Sequence, residues 1–353
     1  MSLLLSPKKA AFDSFAARAA AAQGLETKVF DEWQPELDEA LQSLPETDIF
    51  PHELFRLLMK MSGPKLKRMI LVTEGGVPVA LAGLKNEFGY WEPVTQWIVP
   101  GVLFPAKENY IGRVLAALGV EMKVAWWRWE TPPPQTRWMR NLWSKPSYAM
   151  RSSQDFDNYW RNTNAWKYLS VSRTRCRGFE LGVNVPGSTE WTIKNWETKW
   201  RPKGVAEKPD LPDRLLVAQY LEKRGLYYTL SLLDRDKITC AVGCLIHSND
   251  LVVQYMYRGP GYRAQGTPPR LFELTCYWAK EMGLKKIDIG GPLEIFKKTR
   301  IGDKEYFAPE DGKLWEFDVC PFFHIFLKKQ ALQLMRRGWG NLRRLLKGLA
   351  RVN

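Results

Sequence analysis

The chain has 353 residues, is 45% hydrophobic and 25% charged, and carries a net charge of +14. That hydrophobic content is enough for two domain cores and excludes a disordered chain. No apolar run approaches the roughly 20 residues a membrane-spanning helix needs. The start MSLLLSPKKAAFDSF puts lysines after a short apolar stretch, the wrong order for a secretory signal, so cytoplasmic residence is the expectation.

Residues 1–48 read as a helical lead-in, Ala-rich and then acidic, with a surface helix over Glu36–Leu44. A stronger helix starts at Pro51, and His52–Met61 carries an apolar face. Lys67–Thr73 and Val77–Leu84 predict a hairpin around Glu74-Gly75-Gly76. An aromatic, proline-interrupted stretch follows from Phe88 to Phe104, then a helix over Tyr110–Leu118 and a strand over Val124–Trp129. The run Thr131-Pro132-Pro133-Pro134 breaks the chain.

The second half repeats this plan at greater length, without visible identity to the first. Asp155–Trp160 and the segment after it read as helix, and Cys176–Val183 as a strand. Helices follow over Glu190–Trp200 and Pro212–Lys223. Three strand-like runs come next, Tyr227–Leu233, Ile238–His247 and Leu251–Tyr257. A loop rich in Gly, Pro and Arg, a helix, and the short strand Lys286–Ile289 complete the unit. The domain assignment is a lead-in over 1–48, an α/β domain over 49–145, a second over 146–321 and a tail over 322–353.

The five cysteines (Cys176, Cys240, Cys244, Cys276 and Cys320) are odd in number and scattered, and the three histidines lie far apart. No metal-ligand spacing occurs, so no metal is expected and the thiols read as buried and reduced. Cys240 and Cys244 share one strand face. The basicity is concentrated at the end: Phe322 to Asn353 holds eight Lys and Arg and no acid, leaving +6 on the rest. This segment is amphipathic and reads as two helices divided by Gly338-Trp339-Gly340. A basic face beside leucines suits an anionic membrane surface at the inner face of the membrane, or tRNA phosphates; a solvated face on a docked helix is the plainer alternative.

Four runs stand out in the second half: Thr267-Pro268-Pro269-Arg270-Leu271-Phe272-Glu273-Leu274, Trp278-Ala279-Lys280-Glu281-Met282-Gly283-Leu284, Ile287-Asp288-Ile289-Gly290-Gly291 and Ile295-Phe296-Lys297-Lys298. In these the second half resembles the acetyltransferase-like half of FemAB-type, tandem GNAT proteins. The resemblance covers roughly residues 150–315 well and the first half in outline. It implies two tandem GNAT-like α/β domains with mixed central sheets flanked by helices, followed by the basic amphipathic tail. It also implies N-acyl transfer from acetyl-CoA or another acyl-CoA to the amine of an amino sugar, amino acid or envelope or polysaccharide precursor. Two alternatives stand beside it: aminoacyl-tRNA as donor, and a non-catalytic, membrane-associated accessory role. The chain departs from the family's phosphate loop, since Arg263-Ala264-Gln265-Gly266 offers similar chemistry at different spacing.

The candidate donor-binding residues are Arg263, Gln265, Gly266, Thr267 and Arg270, a polar loop at a helix start where free N–H groups and arginine meet an anion. Lys297, beside Phe296, joins them as a phosphate or carboxylate ligand. The candidate catalytic residues are Asp288 and Glu294, to orient or deprotonate the amine, and Tyr255, to protonate the departing thiolate. Each has a plainer alternative: loop capping for Asp288, solvated surface positions for Glu294 and Lys297, and packing for Tyr255.

Overall fold

The computed structural model describes residues 17–61, 67–87, 90–95, 102–118, 122–129, 139–152, 155–162, 165–200, 211–262, 266–290 and 308–319. The first half runs α1 (17–21), β1 (Glu26–Phe30), α2 (Pro35–Gln42), α3 (His52–Met61), β2 (Lys67–Glu74), β3 (Val77–Glu87), β4 (Tyr90–Pro93), α4 (Ile111–Ala117), β5 (Met122–Trp129) and β6 (Met139–Arg151). The second runs α5 (Phe156–Asn162), α6 (Ala165–Arg175), β7 (Glu180–Val183), α7 (Ser188–Trp200), α8 (Leu211–Lys223), β8 (Tyr227–Asp234), β9 (Lys237–His247), β10 (Asp250–Arg258), α9 (Thr267–Glu281), β11 (Lys286–Gly290) and β12 (Ala308–Val319).

The α/β class and the two-half plan expected from the sequence are what the chain adopts. Each half contributes a mixed sheet, and the two join into one sheet of order β1-β2-β3-β4-β5-β12-β6-β11-β10-β9-β8-β7. In β1 to β5 and in β7 to β11 the strands follow chain order from the outer edge inwards. The repeat is residue for residue over the hairpins. Lys67 pairs with Lys85 and Tyr227 with Leu245, an offset of 160 residues at both positions. The same offset relates two register irregularities, at Val72/Thr73 and at Leu232/Leu233. It also relates the parallel contacts Trp91 with Met122 and Leu251 with Ile287 at their outer strands.

At the centre the halves exchange strands. β6, which ends the first half, pairs with β11 of the second, while β12, which ends the second, pairs with β5 of the first. β6 and β12 pair antiparallel with each other. The boundary assigned at 145/146 therefore falls inside β6. Pro146 sits opposite Lys313, beside an irregularity in the β6–β12 ladder; a proline, lacking its N–H, is tolerated at such a break.

The helices pack as their apolar spacing dictates. α3 buries Leu54, Phe55, Leu58 and Met59, at i, i+1, i+4 and i+5. These residues belong to one core with Val217, Ala218 and Leu221 of α8 and Tyr227, Leu245, Val252 and Tyr255 of the second sheet. Burying each such large side chain is worth about 1.5–3 kcal/mol, and here that gain depends on both halves at once. A second core, with Leu271, Phe272, Cys276 and Ala279 of α9, covers the other face of β8 to β11.

Two expectations change. The lead-in over 1–48 is not uniformly helical, because Glu26–Phe30 forms edge strand β1 antiparallel to β2. Cys176 does not open a strand; it follows α6, and β7 begins only at Glu180. The tail over 322–353 and the proline run lie outside the described residues.

Candidate active site

Site geometry follows from where two parallel strands part. β10 and β11 are in register at only three positions, ending at Val252 with Asp288. β10 continues to Arg258 with β9 on one side only, so its other backbone edge has no strand partner among the described residues. The ladder to β9 is irregular between Val253 and Tyr255, at the mouth of the parting. A bulge there leaves a backbone group without its ladder bond. The chain then turns through Gly259 to Tyr262 and enters α9 at Gly266.

Gly266 adopts the left-handed region, with φ 68°, which favours glycine. Its carbonyl accepts a hydrogen bond from Ser172 Oγ of α6 at 2.5 Å. A Cβ at Gly266 would lie 3.3 Å from that of Ser172, so α6 fixes this turn closely. Thr267, the first residue of α9, is buried. Arg270 stands one turn in and donates from Nη1 to Glu273 Oε2 at 2.5 Å. The Glu273 side chain is fully buried, and its other oxygen accepts from Nε of Arg173 at 2.7 Å and from the same guanidinium's Nη2. A buried carboxylate between two arginines is compensated. It raises the Arg173 pKa through the hydrogen bond and fixes Arg270 beside the helix N-terminus.

Tyr255 and Asp288 lie on the sheet face opposite α9. Val252, in register with Asp288, and Tyr255 both belong to the core that α8 covers, whereas Ile287 faces α9. The Tyr255 ring meets Trp196 of α7 edge-on at 5.1 Å, and its hydroxyl accepts from Arg214 Nη1 at 3.2 Å. Tyr257, two residues on, meets Trp191 in the same manner at 5.3 Å. Asp288 is buried in β11. The fold thus brings Gly266, Thr267 and Arg270 together at one helix start, and Tyr255 and Asp288 onto one sheet face. Arg263, Gln265, Glu294 and Lys297 lie outside the described residues.

Sequence reasoning missed Ser172, Arg173, Glu273 and Arg214. The one signal available was the three-residue spacing of Arg270 and Glu273, which puts an ion pair on one helix face.

In the first half two separate segments follow the course that β10 takes in the second. β4 stops at Pro93, and the chain from Leu103 to Lys107 takes the place next to β3: Leu81 N donates to Pro105 O and Lys107 N to Val79 O, both at 2.9 Å. Glu74 reaches the start of α4, accepting from Tyr110 Oη and from Arg113 Nη2, the latter at 2.8 Å. These bonds hold the Glu74 carboxyl below its ordinary value, the Tyr110 bond contributing most. Glu74 thus ties the end of β2 to the first turn of α4 through side chains.

The molecule so defined is an α/β protein of two like-folded halves, with a parting of parallel strands in the second. Among solved structures, FemX matches 83% of this chain and 97% of its own at 11% identity and a TM-score of 0.42. L-PGS from Bacillus licheniformis matches 86% of this chain and 97% of its own at 13% identity and 0.45. A tandem GNAT protein from the clavulanic acid biosynthesis pathway matches 83% and 98% at 12% identity and 0.40. No family model and no curated protein matches the chain. Among the described residues there is no cluster able to hold a metal ion and no helix long and apolar enough to cross a membrane.

Proposed function

We propose that the chain is an N-acyltransferase that takes its acyl group from acyl-CoA in the second half and passes it to an amine. The observation that carries this reading is the parting of β10 from β11. It leaves a backbone edge with no strand partner among the described residues, leading to a helix start where Gly266 and Arg270 stand. Free N–H groups and a fixed arginine suit a pyrophosphate, and the open strand edge suits the amide-bearing arm that joins it to the thioester.

In the reaction the amine nitrogen bonds to the thioester carbonyl carbon and loses a proton. The C–S bond breaks, and the thiolate leaves and collects a proton. Positioning and polarisation of the carbonyl supply most of the rate. Asp288 orients the amine or takes its proton, and Tyr255, whose hydroxyl accepts from Arg214 and so keeps its own proton to give, serves the thiolate. The acceptor belongs to the amino-sugar, amino-acid or envelope-precursor class. The basic tail over 322–353 is the proposed contact with an anionic membrane surface.

The test is the thermal midpoint of the purified protein with acetyl-CoA, longer acyl-CoAs and free CoA. At about 100 times the dissociation constant a ligand adds about 2.7 kcal/mol, a rise of several degrees. A rise that Arg270→Ala abolishes supports the reading. No shift overturns it and leaves aminoacyl-tRNA, which the net charge of +14 favours, as the donor to test next.

A further inference from the structure

Tyr227 opens β8 and is 1% exposed, yet its hydroxyl has no hydrogen-bond partner among the described residues. A phenol buried in this way forgoes its bonds to water, and such groups are rare in folded proteins. Its place in the fold is specific. The ring crosses from β8 onto β9 and ends over Gly243, where any Cβ would collide with the hydroxyl. Tyr255 borders the same point, its ring 3.4 Å from where that Cβ would stand. Gly243 is the register partner of Tyr255, just past the irregularity in β10. The orphan hydroxyl therefore sits over the strand next to β10, level with the mouth of the parting, on the face that carries Tyr255 and Asp288.

The pseudo-equivalent position gives a control. Its occupant, Lys67, is also buried, but its ammonium is satisfied by Leu58 O and Asp213. Gly83 is the counterpart of Gly243. A Cβ there would meet Met59 Sδ at 2.7 Å and Phe55 Cε2 at 2.8 Å, an apolar plug. The first half closes this spot with hydrocarbon and pairs its polar group; the second places an unpaired donor there.

We propose that Tyr227 is a further catalytic residue, whose hydroxyl donates a hydrogen bond to the acyl carbonyl oxygen of the donor. This rests on the acyl-CoA reading above. Burial raises the Tyr227 pKa well above that of an ordinary phenol, so the group stays protonated and acts as a donor. A neutral donor held beside the carbonyl meets the negative charge that develops on its oxygen, without reorganising during the reaction. Free CoA lacks that oxygen, so the contact discriminates acetyl-CoA from CoA.

The experiment compares wild type and Tyr227→Phe in affinity for acetyl-CoA and for CoA, together with the ¹³C shift of carbonyl-labelled acetyl-CoA on binding. Phenylalanine keeps the ring and removes only the orphan group, so the ligand-free variant should be at least as stable as wild type. The expected result is an affinity for acetyl-CoA reduced about three- to tenfold relative to CoA, as for one hydrogen bond. A downfield carbonyl shift in wild type that the variant loses is expected with it. Equal acetyl-CoA to CoA ratios and equal carbonyl shifts in both proteins overturn the inference alone, and mean that the hydroxyl meets only an internal water. Failure of both compounds to bind wild type overturns the donor reading and this inference with it.

Discussion

Lys67 of β2 and Asp213 of α8 form an ion pair of 3.1 Å that joins the two halves through their shared core, with both side chains nearly inaccessible, at 4% and 2% exposure. Removing one partner strands the other charge. Asp213→Asn should therefore cost about 3–5 kcal/mol, whereas Lys67→Met with Asp213→Leu should be close to neutral. Urea midpoints of the three proteins check this.

The same pair gives a pH dependence. Burial lowers the Lys67 pKa, with Asp213 opposing the shift, so the folded value lies below the unfolded 10.5. Between those two values the unfolded chain binds more protons, and stability rises with pH. Wild type should gain on the Lys67→Met, Asp213→Leu double variant as pH climbs towards 10.5. A flat difference in urea midpoint across that range would contradict the assignment.

Glu273 anchors both Arg173 and Arg270. Glu273→Gln should lower stability by about 1–3 kcal/mol, since both arginines are partly exposed and can turn to water. It should also shrink the rise in midpoint that acetyl-CoA produces, because Arg270 is no longer held at the start of α9. Calorimetry with and without acetyl-CoA separates the two effects.

Burial pushes the Cys240 thiol up to about 12 and raises those of Cys244 and Cys276 further from their ordinary value. None is a thiolate at neutral pH, so none should react with an aromatic disulfide until the protein unfolds. Mass spectrometry of peptides labelled before and after unfolding tests each position.

The exchange of β6 and β12 predicts that neither half folds alone. Chains 1–152 and 153–353 expressed singly should aggregate, each with a central strand edge bare, and co-expression should recover a soluble pair. Solubility and circular dichroism of the single and paired chains are the measurements.

Local pattern carried much of this fold. The hairpins β2–β3 and β8–β9 follow from apolar runs flanking turn residues, and α3 from its spacing. β1 was hidden because Glu26–Phe30 is a short, half-exposed edge strand in a helix-rich lead-in. β12 begins APEDG, and β6 contains Pro146, both reading as turn or loop; long-range pairing with each other overrides that preference. In the site, Gly266, Thr267 and Arg270 were legible as a loop before a helix. Glu273, Lys67 and Asp213 were not, since a pattern reading places charge at the surface and only tertiary partners reverse that.

The offset of 160 residues has a consequence for how such a chain can change. Two copies of one backbone, each finished by the other's last strand, share a scaffold and need not share a workload. One copy can drift towards support while the other, on the proposed reading, keeps the donor site. On that reading, division of labour, ordinarily a property of hetero-oligomers, is written along a single polypeptide.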